Sequence, residues 1–177
     1  MSESFMVIWQ IAELHARKLQ AEKIEPHHLL LALAKCVDLD LTALVPKSTP
    51  KHDEILEQLL REVRRVRTVF QKGGLNAKAY RRKLRNEVTQ MTVSLRGQAT
   101  LHRSALTKKL FQEAQYYAEL SEQVVYPVHL LLAVLLAKVK NSDDLLRERG
   151  VDKKRLQETA RDEIFNRGHT KLALGDN

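Results

Sequence analysis

One short stretch occurs twice in this chain and limits what the chain can fold into. The first copy is Pro26-His27-His28-Leu29-Leu30-Leu31-Ala32-Leu33, and the second is Pro127-Val128-His129-Leu130-Leu131-Leu132-Ala133-Val134. At an offset of 101 positions Pro, His, three Leu and Ala coincide, and Leu33 faces Val134. A fixed-offset repeat means that one supersecondary unit is used twice. Proline suits the first turn of a helix, where its missing N–H is not needed and its fixed φ is already helical. The leucines leave almost no polar face, so each copy predicts a short helix buried in the core.

An amphipathic helix precedes each copy. Ser2 and Ser4 are N-cap candidates. Phe5, Ile8, Trp9, Ala12, Ala16 and Leu19 then recur at three- and four-residue spacing, and the helix is expected to end near Glu22. Ser104 caps the second such helix, with Leu106, Leu110, Ala114, Tyr117 and Leu120 facing inward. Ala12 and Ala16 answer Ala114 and Ala118 at an offset of 102, so the turn before proline differs by one residue.

After the first copy, residues 37–45 read as a turn and a short helix, and Pro46-Lys47-Ser48-Thr49-Pro50 is a break. Thr49 is placed as the next N-cap, with Pro50 in the first turn. Ile55, Leu59, Val63, Val66 and Phe70 form a helical stripe that Gly73-Gly74 ends. Residues 76–93 carry a thin stripe of Tyr80, Leu84, Val88 and Met91, and 94–102 read as a loop. After the second copy, Ser142 is placed as the cap of a short helix holding Leu145 and Leu146. Gly150-Val151-Asp152 then opens a final helix with Leu156, Ala160 and Ile164 inward. Only six Gly and four Pro interrupt 177 residues, so the expected fold class is all-α.

Cys36 stands alone, so no intrachain disulfide forms and no oxidising compartment is required. The start of the chain lacks a basic segment followed by an apolar one, as a signal peptide would have. No apolar run approaches the roughly 18 residues of a membrane span. These features predict a soluble, cytoplasmic protein without membrane partners. The net charge of +8 is concentrated. Residues 61–85 hold ten Lys and Arg against Glu62 alone, and the remainder is nearly neutral.

Two copies of helix, turn and Pro-x-His-Leu-Leu-Leu-Ala resemble the double repeat of the Clp N-terminal domain, which fronts Clp-type AAA+ unfoldases and disaggregases. The second copy matches better, with Ala114, Ala118, Pro127, His129 to Ala133 and the Gly150-Val151-Asp152 step. The first keeps Ala12, Ala16, Pro26 and His28 to Leu33, but Val45-Pro46-Lys47-Ser48 replaces the Gly-x-Asp step. The resemblance implies a pseudo-two-fold module of two four-helix units with an extended basic linker. Residues 1–165 would form one domain: repeat one at 3–70, a basic helical insertion or linker at 71–102, and repeat two at 103–165. Residues 166–177 would be a flexible tail. It also implies a non-catalytic, protein-binding module that brings unfolded or tagged substrates, or an adaptor protein, to an AAA+ ring. No Gly-x-x-x-x-Gly-Lys-Ser/Thr loop is present to hold phosphates. The ATPase would therefore follow in a longer chain or be supplied by another.

No catalytic constellation is expected, and neither a cofactor nor a metal. The carboxylates are scattered, and adjacent His27 and His28 cannot share one helix face. His28 and His129 instead occupy the first turn of a buried helix, where a ring nitrogen satisfies backbone groups left open there. If the repeats meet face to face, a groove runs along their junction. Phe5, Val124, Tyr126 and Val128 are the apolar candidates for it. The basic patch of Arg61, Arg64, Arg65, Arg67, Arg81, Arg82 and Arg85 supports a different reading. In that reading a free-standing helical adaptor uses residues 61–85 to hold an acidic partner or, less favourably, nucleic acid. Little aromatic interleaving accompanies the arginines, and single-strand binders need it.

Overall fold

A computed structural model of the chain describes residues 1–91 and 101–166. Its elements in order are α1 (Glu3–Lys18), β1 (Lys23–Ile24), α2 (Pro26–Cys36), a 3-10 turn (Leu41–Ala43), α3 (His52–Lys72), α4 (Ala77–Met91), β2 (His102–Arg103), α5 (Ala105–Leu120), α6 (Pro127–Leu136), α7 (Lys140–Glu148) and α8 (Lys153–Phe165). The described residues are all-α apart from β1 and β2. These pair in parallel, with Lys23 opposite His102 and Ile24 opposite Arg103.

The repeat seen in sequence is repeated in hydrogen bonds. The Ser2 hydroxyl accepts the Phe5 N–H at 3.4 Å, and the Ser104 hydroxyl accepts the Thr107 N–H at 3.2 Å. Past each first helix a non-glycine residue turns left-handed, Gln20 at φ 54° and Glu122 at φ 54°. The next N–H reaches back over the helix end, Ala21 to the Ala16 carbonyl and Gln123 to the Ala118 carbonyl, both at 2.9 Å. This turn stops α1 at Lys18, short of the expected Glu22, and frees Lys23 and Ile24 to pair with β2. Each repeat also closes the opening turn of the other. The Ser2 N–H donates to the Val125 carbonyl and the Ser104 N–H to the Ile24 carbonyl, both at 3.1 Å.

The leucine helices sit at the centre. Every residue from Val128 to Leu135 is buried, as are Leu29 to Ala34. Helix α2 packs on α1, α4 and α6, and α6 packs on α5, α8 and α3. The third helix of each half crosses to the fourth of the other: α3 lies on α8, and α7 on α4. Cys36, at the end of α2, is enclosed, and burial pushes its thiol up to about 12, so it behaves as a small apolar group.

The segment 71–102, expected as a basic insertion or linker, contributes α4 to this core. Tyr80, Leu84 and Val88 are buried. Two turns explain the placement. Before α8, Gly150 has φ 65°, the Val151 N–H donates to the Leu146 carbonyl, and Asp152 accepts the Lys154 N–H. Before α4, Gly74 has φ 75°, the Leu75 N–H donates to the Phe70 carbonyl, and Asn76 accepts the Ala79 N–H. The Gly-x-Asx step that residues 45–48 lack is thus present at 74–76. Tyr80, Leu84 and Val88 stand where Leu156, Ala160 and Ile164 stand in the other half. We read α4 as the fourth helix of repeat one, displaced along the sequence because α3 has 21 residues and α7 only 9.

Other sequence expectations are corrected. Helix α3 starts at His52, after Lys51 at φ 57°, and the Thr49 carbonyl accepts the His52 N–H within the preceding turn. Thr49 is therefore not its cap. Ser142 is not a cap either. It lies within α7, buried, with its hydroxyl 2.5 Å from the Tyr80 hydroxyl. A buried phenol needs such a partner, and burial pushes that phenol up to about 12. The loop expected at 94–102 lies outside the described residues up to 100, and so do the Met91 side chain and the tail from 167.

The end of α3 meets α8 closely. A Cβ built on Gly73 would lie 2.1 Å from Leu156 Cδ2 and 3.0 Å from the Val69 carbonyl oxygen. Leu156 is fully enclosed and has little room to move. Gly73→Ala is expected to destabilise the fold by about 1–3 kcal/mol through overpacking. Urea unfolding of the two proteins checks this, and an unchanged midpoint would contradict the contact.

Candidate protein-binding groove at the repeat junction

The groove arises where the opening turns of α1 and α5 meet. Phe111 of α5 presents its edge to Phe5 at 5.3 Å and 88°, and to Trp9 at 5.5 Å and 86°. Trp9 and Phe111 are equivalent positions, 102 apart, so this contact lies at the junction of the halves. Edge-to-face pairs of this kind contribute beyond simple burial. The Arg103 guanidinium lies over Phe111 at 5.2 Å and over Trp9 at 5.8 Å. Beside these rings is an open recess of ≈ 300 Å³. Met1, Phe5, Phe111 and Val125 supply its apolar lining, and Arg103, Lys108, Gln112 and Gln115 its polar lining. Apolar walls with a few donors suit an extended segment, whose side chains enter while its carbonyls meet the rim.

Polar groups fix the opening turn of α1. The Ser4 hydroxyl donates to the buried carboxylate of Glu62 on α3, and Gln58 donates to the same carboxylate at 2.8 Å. The Ser2 and Ser4 hydroxyls are 3.1 Å apart. In repeat two the position of Phe5 is taken by Thr107, whose hydroxyl donates to the Ile24 carbonyl at 2.8 Å. The junction is therefore asymmetric, with an aromatic on one side and a closed polar turn on the other.

Of the four apolar candidates, Phe5 is 1 % exposed and forms part of the lining. Val128 is fully buried, correcting its expected exposure, because it belongs to the wall of α6. Val124 is 52 % exposed in the turn before Pro127, while its neighbour Val125 lines the recess. Tyr126 is half-buried. It stacks on His129 at 5.8 Å and lies beneath the Arg65 guanidinium at 5.4 Å. Trp9 read as one position of a helical core stripe, and Phe111 lay outside the stripe expected to face inward, so neither pointed to the groove.

The arginine cluster divides. Arg65 is buried, so its place in a surface patch is corrected. It donates to Gln123 Oε1 at 3.2 Å and to the Glu163 carbonyl at 2.5 Å, tying α3 to repeat two. Arg67 donates to the Val37 carbonyl at 2.6 Å, just past α2, where the helix end is negative. Arg81 pairs with Asp38 at 3.8 Å. Arg61, Arg64, Arg82 and Arg85 are exposed and have no ion-pair partner among the described residues.

The two histidines do the same work in each half. His28 Nδ1 accepts the Glu25 N–H and His129 Nδ1 accepts the Tyr126 N–H, both at 2.9 Å. An accepting Nδ1 places the remaining proton on Nε2. Burial lowers His28 to about 3, helped by the charges of His27 and His15, and lowers His129 to about 4, helped by Arg65. Among the described residues no group of three His, Cys, Asp or Glu side chains gathers in a way that would hold a metal ion. No described helix is long and apolar enough to cross a membrane.

Two interlocked helical repeats around paired Pro-x-His-Leu-Leu-Leu helices define a class: the fold is that of Clp N-terminal domains. The Hsp104 N-terminal domain of Candida albicans superposes with a TM-score of 0.63 at 15 % identity, over 90 % of this chain and 88 % of that one. The N-terminal domain of the chaperone ClpD of Arabidopsis thaliana gives 0.52 at 15 %, over 98 % and 94 %. The N-domain of ClpV from Vibrio cholerae gives 0.54 at 18 %, over 88 % and 79 %. No protein-family model and no curated protein sequence matches the chain.

Proposed function

We propose that this chain is a protein-recognition module that receives client or adaptor segments for a Clp-type AAA+ unfoldase. The observation that carries this reading is the recess beside Phe5 and Phe111, an apolar opening to which both halves contribute their helix starts. The likeness to Clp N-terminal domains supports it. In this reading Phe111 and Val125 hold an apolar side chain of the segment. Arg103, Gln112 and Gln115 meet its backbone carbonyls, and Val124 extends the contact outward.

A rhodamine-labelled twelve-residue peptide that alternates Phe or Leu with Ser and carries no acidic residue is the probe. Fluorescence anisotropy is expected to register saturable binding to the full chain. Phe111→Ala is expected to weaken it roughly tenfold, as truncating a buried interface anchor does. Val124→Asp is expected to weaken it several-fold, with an unchanged melting temperature because Val124 is exposed. Equal binding by both variants and the parent chain would remove the recess from the function.

A further inference from the structure

The second half of the basic run is organised by the fold rather than spread over it. Helix α4 lies along α2, beside the last turns of α1. Between them is an open cleft of ≈ 650 Å³. From α4 it takes Lys78, Arg81, Arg82 and Arg85, and from α2 it takes Lys35. Residues 78, 81, 82, 85 and 89 follow one helical stripe, about 16 Å from end to end at 1.5 Å per residue.

Of the five cations only Arg81 has a carboxylate partner among the described residues, Asp38. His15 lines the cleft, and its Nε2 has no hydrogen-bond partner there. It also reports the local field. Burial first, then the charges of Lys35 and Arg85, hold the imidazole down to about 4. Positive charge gathered without counter-charge costs stability through self-repulsion, and an anionic ligand relieves it.

We propose that this cleft binds an acidic peptide segment, a run of Asp and Glu in a client or adaptor protein. Guanidinium groups one helical turn apart suit such a run, since each matches a carboxylate with two parallel N–H···O bonds. In an extended segment, alternate side chains on one face are about 7 Å apart. A helical segment brings i and i+4 carboxylates to within about 6 Å. The rise along α4 over three or four residues is about 4.5–6 Å, which the helical spacing matches and the extended spacing exceeds by about 1–2 Å. No Phe, Tyr or Trp lines the cleft, so the large rings on which single-stranded nucleic acid stacks are missing. The cleft shares no residue with the recess at Phe111. It therefore gives the module a second, charge-selective contact beside an apolar one.

The probe is a rhodamine-labelled peptide of ten glutamates, with single-stranded dT10 as its nucleic-acid counterpart, titrated with the full chain in 50 and 300 mM NaCl. The peptide is expected to bind at low salt and to weaken as salt rises. R82E/R85E is expected to lower its affinity roughly tenfold or more, and the neutral pair R82Q/R85Q to lower it in the same direction where charge reversal disturbs folding. R61E/R64E makes the same change of net charge on α3, outside the cleft, and is expected to stay within about twofold of the parent. Binding of the neutral apolar peptide is expected to survive R82E/R85E, so failure of the cleft and failure of the recess are read separately. An equal loss in R61E/R64E would assign the binding to overall charge. Tighter binding of dT10 would assign the cleft to nucleic acid. No peptide binding at 50 mM NaCl would end the proposal.

Discussion

Leu131→Ala is expected to lower the unfolding free energy by about 3–5 kcal/mol. Leu131 is fully enclosed in α6. That helix is packed by α5, α8, α3 and α2, which come from both halves of the chain. A cavity opened there has no free side from which to collapse, because moving any one neighbour would disturb its contacts with the others. The cost of such a truncation grows with the cavity that remains, so this site belongs at the upper end of the range. Its counterpart Leu30 faces a similar enclosure and is expected to follow it. Leu120, expected to face inward but 55 % exposed at the end of α5, is the control, and its alanine variant is expected to change stability by no more than about 0.5 kcal/mol. Urea unfolding at constant m-value measures all three. A loss at Leu131 no larger than at Leu120 would contradict the central position of α6.

Acid is expected to unfold this protein in steps set by its buried histidines. His28 and His129 are fully buried, and their folded-state values lie near 3 and 4, well below the ordinary 6.5. A histidine whose value is lowered by folding is held neutral in the native state, while the unfolded chain takes up the proton more readily. Stability is then complete above about pH 6.5 and falls as pH drops toward 4 and below. At pH 5 each ring contributes a loss of about 2 kcal/mol, on the order of 1.4 kcal/mol per pH unit below 6.5. The geometry gives the same sign, because protonation would occupy the Nδ1 that accepts the Glu25 or Tyr126 N–H. Asparagine places its Oδ1 near that nitrogen and does not titrate. His15 and His27 are also held down to about 4, chiefly by burial, and stay in the variant, so H28N/H129N is expected to remove roughly half of the decline between pH 7 and 5 in urea unfolding. An unchanged slope would show that other groups control acid stability.

Much of the fold could be read in the residues because its central element is nearly pure leucine and occurs twice. The placement of α4 could not be read, for a physical reason. Its turn is Gly74-Leu75-Asn76, where the other half has Gly150-Val151-Asp152, and the intervening α3 is 12 residues longer than α7, so the offset no longer matches. A thin stripe of Tyr80, Leu84 and Val88 among many cations also looks solvated until α2 and α7 are set against it. The left-handed turns at Gln20 and Glu122 were hidden because neither is glycine. The inward course of Arg65 had no local signal either. It falls one position from the apolar face of α3 and is explained only by the Glu163 carbonyl and Tyr126, far along the chain. At the groove, the position of the junction followed from the repeat. Its aromatic partner Phe111 did not, since it lies beside the stripe expected to face inward and its neighbours Phe5 and Trp9 come from the other half.

The reciprocal bonds from Ser2 to Val125 and from Ser104 to Ile24 have the form of an isologous interface, the same patch used once in each direction. Such an interface belongs to a symmetric homodimer, and here one polypeptide supplies both partners. Each opening turn is completed by the other half, and each third helix rests on a fourth helix that is not its own. A chain holding a single copy would expose a self-complementary face, and a second copy of itself is what that face fits. Substitutions at Ile24, Ser104 or Val125 therefore act on both halves at once. The lengths of α3 and α7 are under no such pairing, and in this chain they have diverged.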